Sequence, residues 1–282
     1  MGALTFLARR FVAGDSADQA IAVVRRLNVR GIRATLDFLG EETLSREAAA
    51  KSADEIISLL RKIGEAKVDS NVSVKLTQFG MALDPLLAKA HMVRILKEAA
   101  ANGNFVRIDM EGSAYTQKTL DLFLELFPKF PNCGVVLQAY LRRSAADVER
   151  LNAAGAKVRL CKGAYKEPAS VAFPGKAEVD RSYDELAREL LAKGCQPAIA
   201  THDDARIAAA QSAAADAGLS KDKYEFQMLY GLRQARWHEL AAEGHIVRIY
   251  VPYGTHWLPY YYRRIRERKE NLLFVVKNLW RG

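Results

Sequence analysis

The sequence predicts an α/β fold in which eight strand–helix units close into a parallel (βα)8 TIM-like barrel. Three observations carry this. Short apolar and β-branched runs alternate strictly with amphipathic helical stretches, and strict alternation makes a parallel sheet. Eight such units fill roughly 250 residues, the size of a closed barrel. Nearly every predicted strand ends in a polar or charged residue, as expected where one rim carries chemistry. A doubly wound sheet is the architectural alternative.

Residues 1–30 are set apart as an N-terminal helical segment, with an amphipathic helix over Ala17–Leu27 expected to cover the barrel bottom or an edge. Residues 31–282 supply the barrel. Its strands are read at Ile32–Leu39, Val72–Thr77, Phe105–Asp109, Val135–Tyr140, Lys157–Lys162, Pro197–Thr201, Tyr224–Leu229 and Ile246–Val251, all short and rich in Val, Ile, Leu or aromatic residues. Between them, Asp54–Ile63 spaces apolar residues three and four apart. Asp84-Pro85 is a cap followed by a first-turn proline that opens a helix to Asn102. Thr119–Phe127, Ala145–Ala154, Tyr183–Lys193, Ala205–Ala217, Gln234–Glu243 and Pro259–Arg268 show the same periodicity. Residues 166–180, with Pro168, Pro174 and Gly175, read as a long loop suited to act as a lid.

Half of the 282 residues are hydrophobic and 27% are charged, which excludes disorder as the dominant state. The longest apolar runs, such as Leu272–Val276, fall far short of a membrane span. Arg9 and Arg10 follow the first apolar stretch instead of preceding it, so no secretory signal is expected. Cys133, Cys161 and Cys195 are odd in number and widely spaced, which argues against a disulfide framework or zinc site and for a reducing cytoplasm. The net charge is +9, and much of it lies after residue 247, where eight Lys or Arg stand against two Glu. A basic nucleic-acid-binding protein is therefore one alternative, although no zinc-finger or RNP-type motif accompanies the charge.

Read in order, the strand ends present Asp37, Lys75, Asp109 with Glu111, Gln138, Arg159 with Lys162, Thr201-His202-Asp203, Gln227 and Tyr250. Each alone reads as a solvated strand end; their convergence points to a site. A barrel lysine among carboxylates also suits a Schiff-base, aldolase-type enzyme, with Lys75 or Lys162 as nucleophile. No G-x-G-x-x-G opens a helix, so a Rossmann dinucleotide site is not expected.

Four segments carry a more specific pattern: VSVKLTQFG with Lys75, VRIDMEGSAYT with Asp109 and Met110, VRLCKGAY with Arg159 to Tyr165, and RIYVPYGTHWLPYYYRRIRER with Tyr250, Arg263, Arg264 and Glu267. With LQAY, ATHD and FQMLYG, the chain resembles the proline dehydrogenase family over roughly residues 30–270. The resemblance implies a distorted barrel, with its last helix over the mouth, that binds FAD noncovalently and no metal. It implies oxidation of L-proline to Δ1-pyrroline-5-carboxylate and electron transfer to a membrane quinone, met by peripheral contact at the inner face of the membrane. The length matches the monofunctional form, so a separate pyrroline-5-carboxylate dehydrogenase is an implied partner and nucleic acid is not.

By the same resemblance, Asp109 and Arg159 are catalytic. Lys75, Arg263, Arg264 and Glu267 form the ionic end of the substrate site, and Tyr250, Tyr165 and Leu229 form its walls. Met110, Gln138, Arg159, Lys162, Gly163, Ala164, Thr201, His202 and Gln227 hold the cofactor. A guanidinium pair matches a carboxylate in geometry, and Glu267 lies one helical turn from Arg263. Asp109 is expected to orient Lys75 or substrate electrostatically, with proton removal from the prolinium nitrogen as the alternative role. Residues Asn271–Trp280 offer an apolar face for a membrane, an oligomer or the barrel wall.

Overall fold

The computed structural model describes residues 10–40, 43–258 and 260. Its elements are α1 (Ala17–Asn28), β1 (Arg33–Phe38), α2 (Arg46–Ala66), β2 (Ser70–Val74), α3 (Pro85–Ala101), β3 (Val106–Ile108), α4 (Ser113–Leu126), β4 (Cys133–Gln138), α5 (Ser144–Ala153), β5 (Lys157–Cys161), α6 (Lys176–Lys193), β6 (Ala198–Ala200), α7 (Asp204–Asp216), β7 (Glu225–Leu229), α8 (Gln234–Ala242) and β8 (Ile246–Tyr253). Strands β1 to β8 pair in sequence order, all parallel, and β8 closes onto β1. The predicted barrel is therefore present.

Alternation along the strands sorts the side chains. Leu36, Val72, Val74, Ile108, Val135, Leu137, Leu160, Phe226, Met228, Ile249 and Val251 are buried in one continuous apolar core with the helices. Residues of the other parity, matched across the ring as Thr35↔Asn71, Asp37↔Ser73, Ser73↔Arg107 and Val136↔Arg159, fill the barrel interior. Branched apolar residues usually fill such an interior; here it is largely polar. Its lower part is a floor of paired groups. Arg248 Nε donates to both oxygens of Glu225 at 3.1 and 3.0 Å, and its Nη1 donates to the Ala34 carbonyl at 2.7 Å.

Helix α1 packs against β1 and β8. A capping box between Ser16 and Gln19 starts it, and Ala20, Ile21, Val23, Val24 and Leu27 form its buried face. That stripe needs an apolar partner, and it finds one on the outward faces of β1 and β8. The preceding strand of chain runs along the upper end of β8, with the Ala13 N–H donating to the Pro252 carbonyl at 2.8 Å.

A correction concerns the loop over 166–180. Helix α6 begins at Lys176, where the Glu178 side chain accepts the Gly175 N–H, so residues 176–180 are helical and the loop ends at Gly175. Lys75 likewise lies just past β2, at the start of a 3₁₀ turn over Leu76–Phe79. The helix expected over 259–268 falls outside the described residues, except for Tyr260, which packs with Phe11, Val12, Leu39 and Leu232. Among the described residues, no helix is long and apolar enough to cross a membrane.

Candidate active site

The site is built from inward-facing residues at the upper ends of β1, β2, β3, β5 and β8. Strand pairing sets its height: the Asp109 N–H donates to the Val74 carbonyl at 2.8 Å. Four donors surround the Asp109 carboxylate. Ser73 Oγ and Arg159 Nη1 each donate to Oδ1 at 2.9 Å, the Tyr250 hydroxyl donates to Oδ2 at 2.7 Å, and Lys75 Nζ lies 3.4 Å from Oδ2. Arg159 Nη1 also donates to Ser73 Oγ at 3.1 Å, and its guanidinium sits over the Tyr250 ring, 5.4 Å from the centroid. Lys75 Nζ donates to Asp37 at 2.9 and 3.1 Å and to the Tyr250 hydroxyl at 3.3 Å.

This arrangement fixes charge. Burial works against the Asp109 carboxylate, but Lys75, Arg159 and the Tyr250 and Ser73 hydroxyls outweigh it and hold its pKa below the ordinary value. Burial also works against the Lys75 ammonium, yet Asp37 and Asp109 raise its pKa above that of an ordinary lysine. Burial, with Asp109 and Asp37 nearby, keeps the Tyr250 phenol protonated. Lys75 is therefore held as a cation, which disfavours it as the amine nucleophile of a Schiff-base mechanism.

A second set of ties holds the loops around this cluster. Glu111 accepts the Thr77 N–H at 3.1 Å and the Thr77 hydroxyl, which bolts the turn after Lys75 to the end of β3. Burial pushes the Glu111 carboxyl up despite these bonds. Gln138 Nε2 donates to the Met110 carbonyl at 2.8 Å and the Glu111 carbonyl at 3.2 Å.

The expected cofactor residues spread along the same rim. Lys162 is engaged by Asp180 and by Asp203 at 2.9 Å, which places it in an ion network with Lys176 and Arg206. Gly163 has a φ of +110°, and a Cβ there would lie 2.2 Å from the Tyr140 ring. The close approach that its glycine permits is thus to Tyr140. Ala164 is exposed and Tyr165 half-buried. Thr201 is buried, and its hydroxyl accepts the Asp203 N–H at 3.1 Å. His202 Nε2 accepts the Leu229 N–H at 2.9 Å, which leaves the ring proton on Nδ1. Gln227 donates to Glu225, so its amide is directed to the floor of the barrel. Leu229 pairs in register with Tyr250 and packs against the cluster of Phe11, Val12, Leu39 and Leu232. Arg263, Arg264 and Glu267 lie outside the described residues.

Two partners were not among the residues singled out by sequence for the site: Ser73, and Asp37, which was noted only as a strand end. Their signal was parity. Ser73 stands two residues before Lys75 and Asp37 pairs in register with Ser73, so all three share the interior face.

The hydrogen-bonding groups left open at the rim bear on whether a flavin fits there. Arg159 Nε and Nη2 and Gln138 Oε1 are buried and have no partner among the described residues. Buried polar groups are rarely left so. They lie on adjacent strands β4 and β5, and together they offer donors and an acceptor to a heterocycle carrying both. The residues fit the group.

A closed parallel barrel whose C-terminal rim holds a buried mixed-charge cluster and unanswered hydrogen-bonding groups defines a barrel enzyme. Residues 20–277 match the family model for proline dehydrogenase. Proline dehydrogenase 1 of Bacillus subtilis strain 168 is 42% identical over 272 residues, covering 96% of this chain and 90% of the relative. Proline dehydrogenase of Deinococcus radiodurans is 40% identical over 281 residues, covering 98% and 91%. The chain belongs to the proline dehydrogenase family. Among solved structures, proline utilization A from Bdellovibrio bacteriovorus, inactivated by N-propargylglycine, superposes with a TM-score of 0.87 at 28% identity. That match covers 93% of this chain and 32% of the larger one.

Proposed function

We propose that the enzyme oxidises L-proline to Δ1-pyrroline-5-carboxylate, with noncovalent FAD as hydride acceptor and a membrane quinone as the final acceptor. The observation that carries this reading is the buried Lys75–Asp109–Arg159–Tyr250 cluster beside the unanswered Arg159 and Gln138 atoms. FAD, when bound, would supply the acceptor for the hydride leaving C5. The chain would do the rest by geometry and charge.

Lys75 presents a fixed positive charge toward the substrate carboxylate, joined by Arg263 and Arg264 from the C-terminal segment, with Glu267 to orient them. Tyr250, Tyr165 and Leu229 would wall the pyrrolidine ring and exclude water. The prolinium nitrogen would give up its ammonium proton to solvent before reaction; as C5 then loses a hydride, the nitrogen lone pair forms the C=N bond, and the resulting iminium would release its remaining proton to solvent. Asp109 is not the base for either proton. Its two oxygens are engaged by donors and its affinity for a proton is lowered. Its role is to hold Lys75, Arg159 and Tyr250 in one arrangement. Arg159, Gln138, Met110, Lys162, Gly163, Ala164, Thr201, His202 and Gln227 are proposed to hold the flavin. Arg159, with two free donor atoms, would favour negative charge on the reduced ring. Onward oxidation of the product would fall to a separate pyrroline-5-carboxylate dehydrogenase.

The test is direct. The purified protein should show a flavin absorption spectrum, acid precipitation should release the chromophore as FAD, and anaerobic proline should bleach it. A colourless protein that FAD cannot reconstitute would sink the reading. Arg264→Ala should chiefly raise KM for proline, because a desolvated charge contact of about 2–5 kcal/mol is lost from uniform binding. An unchanged proline affinity with full flavin content would remove Arg264 from the site.

A further inference from the structure

Between β5 and α6 the chain runs from Lys162 to Gly175 without regular structure. Loops of this length are commonly mobile, but this one is tied down. The Arg142 N–H donates to the Val171 carbonyl at 3.0 Å, the Phe173 N–H donates to the Tyr140 carbonyl at 2.8 Å, and the Arg142 guanidinium covers the Phe173 ring at 4.7 Å. Lys162, at the root of the loop, is held by Asp180 and Asp203.

The tie made by Glu167 reaches another part of the barrel. Its Oε1 accepts the Ser113 N–H at 2.7 Å, and its Oε2 accepts the Ser113 hydroxyl, across 54 residues of sequence. Ser113 opens α4. The residue before it, Gly112, has no side chain to cap the helix, and the first turn of α4 holds no acidic residue. A helix start of that kind leaves N–H groups unsatisfied at the positive end of the dipole. Glu167 supplies the missing carboxylate from a distant loop.

This cap links two arms of the site. Helix α4 follows directly on Asp109, Met110 and Glu111, and Glu167 stands two residues beyond Tyr165. The cap therefore ties the loop segment that carries Tyr165 to the rim segment that carries Asp109.

We infer that Glu167 is a positioning residue: by capping α4 from the β5–α6 loop it fixes the segment that carries Tyr165 to the rim just past Asp109–Glu111, and so sets the affinity for a small cyclic substrate. The inference rests on the proline reading above. Its test uses the FAD-replete enzyme and the variants Glu167→Ala, Glu167→Gln and Tyr165→Ala. Each is titrated with proline under anaerobic flavin reduction and with an unreactive cyclic ether carboxylate of proline's shape.

Glu167→Ala should raise proline KM and the dissociation constant of the ether carboxylate by about fivefold to tenfold, the scale of a lost helix cap. The limiting reduction rate should stay within about twofold. Glu167→Gln keeps an acceptor and should recover most of the affinity. In the Tyr165→Ala background, Glu167→Ala should add nothing, because both changes act through one contact. Limited proteolysis after Lys166 should accelerate in Glu167→Ala. Unchanged affinities for both ligands, or effects of the two substitutions that simply add, would overturn the inference. Failure of the proline reading would look different: wild-type flavin would not respond to proline, and the proteolysis arm would still report whether Glu167 holds the loop.

Discussion

The Lys75 ammonium reaches both oxygens of Asp37, at 2.9 and 3.1 Å, from the neighbouring strand. Asp37 is buried, and a second carboxylate, Asp109, lies 3.4 Å from the same nitrogen. The lysine is thus held between two carboxyl groups, with Tyr250 bridging to Asp109. Its charge is fixed by the barrel before any substrate arrives.

A first consequence is chemical silence of Lys75 as a nucleophile. Borohydride treatment in the presence of carbonyl compounds should leave no adduct on Lys75 at neutral pH, because a Schiff base needs the free amine. Peptide mapping by mass spectrometry reads the outcome, and a reduced adduct on Lys75 would reopen the aldolase-type mechanism.

Asp109→Ala should be the most damaging single change in the cluster. It strips Arg159 of its carboxylate partner and leaves the buried Lys75 with Asp37 alone. Breaking a buried pair from one side costs about 3–5 kcal/mol. Urea unfolding should show a loss of that order, and proline should bind far more weakly. A stability change under about 1 kcal/mol would mean the cluster is open to water.

The pH dependence follows from the same shifts. The folded pKa of Asp109 is lowered, so its contribution is complete above the ordinary carboxylate range, about pH 4, and is lost as pH falls through the lowered value. The folded pKa of Lys75 is raised, so its contribution is complete below about pH 10 and is lost only as pH rises beyond the raised value. Neither group changes charge near neutrality. Any rise of kcat/KM with pH should therefore persist in Asp109→Asn, tracking the substrate amine or the Asp37 and Glu111 carboxyls that burial raises, while the acid limb of the stability curve flattens. If Asp109→Asn abolishes that rise, Asp109 is the base after all.

Gly163→Ala should destabilise the fold through two causes. The added Cβ meets the Tyr140 ring at 2.2 Å, and the φ of +110° is one that L residues rarely adopt. Backbone strain of about 1–3 kcal/mol adds to overpacking of similar size. Combining it with Tyr140→Ala should relieve only the packing part. A thermal midpoint within a degree of wild type for Gly163→Ala would contradict the geometry.

What the sequence determined was whatever depends on local periodicity. Short apolar and β-branched runs and three- to four-residue helical spacing defined eight units, and their strict alternation predicted a parallel sheet of barrel size. Strand ends were legible because β runs stop where polar residues begin, so Lys75, Asp109, Arg159 and Tyr250 stood out, and their resemblance to a known family gave them roles. Boundaries were less legible. Helix α6 starts at Lys176 because Glu178 caps Gly175 and Lys176 pairs with Asp180, contacts made within a stretch whose prolines and glycine read as loop.

Only the tertiary structure decided which groups meet. Asp109 and Arg159 are brought to 2.9 Å by the stagger of strands that are not neighbours, and Glu167 caps a helix 54 residues away. It also placed α1 on the β1–β8 wall, since an apolar stripe names the need for a partner but not which one. The physical reason is the same in each case. Periodicity is a property of the chain's own neighbours, whereas a buried charge finds its partner through ring closure and strand register, which no local stretch contains.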